Sequence, residues 1–212
     1  MKAMGNLPDE VRWAVEQICI IAERLARALE PVPALLWAFP VGTPEYPPEE
    51  WYAACVHDLT GKANKGYPHT GVDLNLDKSP WGDVDRGMPV FSCCPGTVRV
   101  LGYSKSYLGS VIVEGQYNGL PLFWRYWHLA YDAVFMGLTV GQLIAAGQQV
   151  GAIGNYTLGE GGDHCHVDCA LDLFQAHWWF TLHPGIRWID PAPIWLDNLD
   201  IARVAAMLRR GD

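Results

Sequence analysis

The chain has 212 residues, half of them hydrophobic and only 18% charged, a composition that buries a sizeable core in one domain with terminal additions and excludes a disordered chain. Fifteen basic against 23 acidic residues give a formal net charge of −8, the wrong sign for holding a phosphate backbone, so no nucleic-acid partner is expected. Ten Trp, nine Tyr and six Phe with 22 Gly and 15 Pro predict many short strands joined by turns: a mainly β (α+β) fold, an antiparallel β-sheet core with N-terminal and C-terminal helices.

Val11, Val15, Ile18, Ile21, Leu25 and Leu29 recur at steps of three and four behind Pro8, Asp9 and Glu10, which predicts an amphipathic helix over 7–30. Its apolar stripe would dock on this chain's own domain, on a second copy or on a partner such as a virion component. Prolines 31, 33, 40, 44, 47 and 48 then predict an extended arm, so that 1–50 form an N-terminal helix and arm. From 51 to 196 the pattern changes to short alternating runs, with strands expected at 97–101, 110–114, 122–128, 149–153 and 164–171. Over 197–212, Asp197 or Asp200 caps a C-terminal helix through Ile201, Val204, Met207 and Leu208. No run reaches the ~20 apolar residues that span a bilayer, and none resembles a signal-peptide core behind a basic N-terminus. The six cysteines read as reduced: Cys93 and Cys94 are adjacent, and Cys165 and Cys169 share strand parity with Val167 and Leu171 as small core hydrophobes.

Four of the seven histidines form a pattern. His164 and His166 flank one residue of an alternating run, so both imidazoles point to one face, ~7 Å apart along the strand, with Cys165 facing the core. His69 and Asp73 are four apart; in a straight strand they would stand ~13 Å apart, too far to share an ion. Thr70-Gly71-Val72 after Pro68 is poor helix material, so a bend at Thr70 and Gly71 is predicted to swing His69 back over the strand that carries Asp73. In the run Leu-Phe-Trp-Arg-Tyr-Trp-His-Leu over 122–129, parity places Trp124, Tyr126 and His128 on one face. If that face lines the same cleft, His128 is its fourth member and Trp124 and Tyr126 are the expected substrate-binding neighbours. His57, His177 and His183 fit no ligand spacing, and Trp178, Trp179, Trp188 and Trp195 are expected to pack.

The order H-x-x-x-D, then a strand ending Tyr126-Trp127-His128-Leu129, then H-x-H resembles the lysostaphin-type (LytM-like) zinc metallopeptidases. Gly87-Met88-Pro89-Val90 with Gly96-Thr97-Val98, Val140-Gly141-Gln142, Gly147-Gln148-Gln149-Val150-Gly151 and Gly161-Gly162-Asp163-His164-Cys165-His166-Val167-Asp168 match further stretches of that family. The resemblance, over roughly 66–195, implies a β-rich duplicated-hybrid-motif fold and a zinc-dependent peptidoglycan endopeptidase. It implies His69, Asp73 and His166 as ligands of one zinc ion, and His164 and His128 as catalytic residues with interchangeable roles as base and as stabiliser of the oxyanion or leaving group. Two imidazoles and one carboxylate leave a fourth tetrahedral position for water, as a catalytic zinc requires. The expected partner is a bacterial peptidoglycan peptide, reached from the cytoplasm by phage-mediated release or as a virion component. The alternatives are an inactive activator of other wall enzymes and a structural docking protein. Two features depart from the pattern: Tyr67 stands only two residues before His69, and 78–85 reads as an insertion.

Overall fold

Alternating apolar side chains build strands β1 (Trp51–Cys55), β2 (Gly71–Leu76), β3 (Pro89–Phe91), β4 (Gly96–Ser104), β5 (Leu108–Tyr117) and β6 (Leu120–Leu129). After α1 (Ala133–Gly137) come β7 (Leu143–Ile144), β8 (Gln149–Ala152), β9 (Cys165–Ala170), β10 (Trp188–Ile189) and α2 (Pro191–Asn198). The computed structural model describes residues 37–62, 66–76, 84–156, 162–177, 185–200, 203–205 and 208. The helix expected over 7–30, most of the 78–85 insertion, His183, Trp178 and Trp179 lie outside the described residues.

One antiparallel sheet runs in the order β1-β2-β9-β6-β5-β4-β7, with β10 paired to the end of β9, and β3 and β8 form a second, two-stranded sheet. The fold is mainly β, as the aromatic, glycine and proline content implied. Its core lies on one face of the large sheet, where Val72 and Leu74 of β2, Val111 and Val113 of β5, Leu122, Trp124 and Tyr126 of β6 and Cys165, Val167 and Cys169 of β9 are all buried. Each such large side chain contributes roughly 1.5–3 kcal/mol by leaving water. Cys55, Cys93, Cys94, Cys165 and Cys169 are free thiols.

This placement corrects the reading of Trp124 and Tyr126 as cleft residues. Both are 0% exposed. Trp124 stacks with Trp195 at 6.4 Å and meets Trp37 edge-on at 5.7 Å, while the Tyr126 hydroxyl accepts from the Cys93 backbone N–H at 2.8 Å. Their parity is the core parity, and the opposite face of β6 carries Arg125 and Trp127.

The described part of the proline-rich stretch lies against this unit: Ala38 N–H donates to Cys93 C=O, Phe91 N–H donates to Pro40 C=O, and Val41 is buried. Pro191 opens α2, where its missing N–H costs nothing, and Asp190 caps the helix by accepting from Ala192 N–H at 2.9 Å. Of the two candidate caps further on, Asp200 performs the role, accepting from Arg203 N–H at 3.0 Å; Asp197 instead accepts from the Tyr117 hydroxyl.

Candidate metal centre

The site lies on the face of the sheet opposite the core, where β2, β9 and β6 run side by side. Backbone register aligns Asp73 with His166 and His166 with Trp127. One row across three strands therefore carries a carboxylate, an imidazole and an indole.

His69 precedes β2 and is held by an isolated bridge to Asp58. Its Nδ1–H donates to the backbone carbonyls of Val56 (3.1 Å) and Gly71 (2.9 Å), which turns Nε2 toward Asp73 Oδ2 at 3.1 Å. The bend expected at Thr70 and Gly71 is present, but glycine serves it differently from the expectation. No left-handed backbone is involved; a Cβ at Gly71 would stand 2.1 Å from Val167 C=O and 2.5 Å from Asp168 Cβ. Glycine is there because the neighbouring strand passes too close for a side chain.

His166 Nδ1 lies 2.8 Å from Asp73 Oδ1. One ligand atom each from His69, Asp73 and His166 lie within 4.8 Å of one another, and two imidazoles with one carboxylate suit a zinc-type ion with an open fourth position. Burial disfavours a charged His69, but the Asp73 carboxylate beside it outweighs this and raises its pKa to about 9. Burial would likewise raise Asp73, yet His69, His164 and His166 together hold it well below the usual carboxylate range.

His164 Nε2 stands 3.6 Å from Asp73 Oδ1, and its Nδ1 faces Gly162 C=O at 3.0 Å. His128 also reaches the site, by a route that parity does not give. Ser110 pairs with Trp127 and Gly109 with Leu129, so His128 is the extra residue of a bulge and takes a left-handed backbone with φ of 62°. Bulges re-aim side chains, and this one turns His128 from the core parity of Trp124 and Tyr126 onto the opposite face. There its ring lies 4.7 Å from His164 and 6.1 Å from His166, with Nδ1 facing Tyr107 C=O at 3.1 Å. Burial, followed by the neighbouring His164 and His166, holds its pKa well below the usual histidine value, so it is neutral near pH 7.

Four further residues complete the site. Trp127 and Tyr156 both stack on the His128 ring, at 4.9 and 3.9 Å. Asp168 accepts from His166 Nε2–H at 3.0 Å and pairs with Arg125. Asp168 continues the 164/166 parity, and Arg125 is a lone charge in an apolar run, so both had a signal in the sequence; Tyr156 had none. His57 instead ties Thr70 C=O at 2.8 Å, and Tyr67 is 76% exposed.

No protein-family model matches the sequence, and no curated protein matches it. Solved structures do. A chain of a SpoIIIAH–SpoIIQ complex superposes with a TM-score of 0.53 at 17% identity, over 75% of this chain and 99% of that one. LytU gives 0.50 at 18% identity, over 72% and 89%. The solution structure of lysostaphin gives 0.50 at 17% identity, over 78% of this chain and 55% of that one. The chain has a lysostaphin-type (LytM-like) fold.

Proposed function

We propose that the protein is a zinc-dependent endopeptidase that hydrolyses peptide cross-links or bridges of bacterial peptidoglycan. The observation that carries this reading is the convergence of His69, Asp73 and His166 on one point, with His164 and His128 beside them, on a lysostaphin-type fold.

His69 through Nε2, Asp73 through its carboxylate and His166 through Nδ1 would hold the ion. A bound zinc would supply Lewis acidity and a water whose pKa lies near ~7. Nδ1 of both His164 and His128 faces a carbonyl and so carries the proton, which leaves both Nε2 atoms as acceptors. His164 is the base: its Nε2 stands 3.6 Å from Asp73 Oδ1, and Asp73 stabilises the imidazolium formed when it takes the water's proton. That same proton then passes to the leaving amine. His128, kept neutral by burial, accepts a hydrogen bond from the water or the scissile amide N–H rather than donating to an oxyanion.

Purified peptidoglycans of contrasting bridge types, incubated with zinc, with chelator and with His164→Ala, test the reading through release of new amino termini. Zinc-dependent release from one wall type is expected, falling at least 100-fold in His164→Ala while zinc content stays the same. His166→Ala is expected to lose both zinc and activity. A zinc-loaded protein that releases nothing from any wall would turn the reading toward an inactive activator or docking domain.

A further inference from the structure

We infer that Asp168, clamped by Arg125 and Thr70, is a positioning residue that fixes the tautomer and ring orientation of His166, so that Nδ1 is its metal-facing atom. The inference rests on the zinc reading above.

One carboxylate gathers four donors. Asp168 Oδ1 accepts from Arg125 Nε at 3.0 Å; Oδ2 accepts from Arg125 Nη2 at 2.5 Å, Thr70 Oγ1 at 2.6 Å and His166 Nε2 at 3.0 Å. Arg125 Nη1 donates to Ala176 C=O, and the guanidinium lies 4.0 Å over the Trp127 ring, with Phe174 and Trp188 at 5.0 and 5.3 Å. Asp168 and Arg125 are both 0% exposed. The missing side chain at Gly71, which pairs with Asp168 across the strands, leaves room for this arrangement.

A fully buried ion pair gives the fold little that two apolar side chains of similar volume would not. Apolar side chains could not, however, accept the His166 Nε2–H. With that proton committed to Asp168, the Nδ1 lone pair is left toward Asp73 and the metal position. His69 is fixed the opposite way, its Nδ1–H committed to backbone carbonyls and its Nε2 left free. The two ligand histidines therefore present opposite ring nitrogens, each set by a different kind of acceptor. A carboxylate acceptor also makes a ligand imidazole more basic, which strengthens its bond to the ion.

The decisive variant is Arg125→Met combined with Asp168→Leu, which removes both buried charges together. Its zinc dissociation constant, measured by chelator competition, is expected to rise 10–100-fold while the near-UV circular dichroism stays native. If that variant does not fold, Asp168→Asn carries the test, with about a tenfold weakening expected. Long-range 1H–15N spectra of the zinc-loaded wild type are expected to show His166 with a proton on Nε2 and metal on Nδ1. Unchanged zinc affinity in a folded variant, or metal on Nε2, would overturn the inference alone. Absence of zinc binding by the wild type would overturn both the inference and the function proposed above.

Discussion

Asp73 lies within hydrogen-bonding or ion-pair distance of three imidazoles, and the metal-free site answers this crowding by keeping a proton on His69. Burial works against that proton, but the adjacent carboxylate prevails and the pKa rises to about 9. In an unfolded chain the same group titrates near 6.5. Between these values the folded protein binds more protons than the unfolded one, so this contribution to stability is complete below pH 6.5 and is lost as pH rises through about 9. The melting temperature of the metal-free protein is therefore expected to fall from pH 6.5 to 9.5, and to lose this slope in His69→Asn. Zinc bound at His69 would have to displace the same proton, so its affinity is expected to rise with pH over that window, by up to about tenfold per unit. Melting curves in chelator at three pH values check the first expectation, and a flat or rising series would contradict it.

The strands place the site, and two local irregularities complete it. At Gly71 the constraint is backbone against side chain: a Cβ there meets the carbonyl of a strand that is itself paired on both edges and cannot retreat. Gly71→Ala is expected to cost about 3 kcal/mol, read as a lower urea midpoint, and to part β2 from β9 where Asp73 faces His166. A variant with an unchanged midpoint would mean that the two strands separate freely. The second irregularity is the bulge at His128, which marks the boundary of what the sequence makes legible. Alternation located β4, β5, β6, β8 and β9 to within a few residues. The same alternation assigned Trp124, Tyr126 and His128 to a single face, since nothing in Tyr-Trp-His-Leu announces an extra residue relative to the partner strand. The bulge arises from how β6 meets β5 around Gly109 and Ser110, an arrangement of two segments that neither one encodes alone. Tyr156 was missed for the same reason: it reaches His128 from beyond β8 through the fold, with no spacing that links them.

In the molecule as a whole, the larger hydrophobic core and the candidate metal cluster occupy opposite faces of one sheet. Trp51, Trp124, Trp195 and the apolar rows of β2, β5, β6 and β9 close the core without help from His69, Asp73 or His166. The ligand row is held by antiparallel backbone pairing of β2, β9 and β6, and beneath it by the buried pair of Arg125 and Asp168. The motif spacing therefore pointed to the group His69, Asp73 and His166, whereas the parity of Asp168 and the lone charge of Arg125 gave a signal without showing that the two pair beneath it. This division predicts that metal removal leaves the fold standing, unlike small zinc domains whose folding depends on the ion. With chelator, hydrolysis is expected to vanish while the near-UV aromatic signal and a cooperative melt persist. The loss in stability should be limited to the binding linkage, about 3–4 kcal/mol relative to zinc at 100 to 1,000 times its dissociation constant. An apo protein that loses its aromatic signal would show instead that the cluster holds the strands together, because the core tryptophans could then change environment only if the sheet itself had opened.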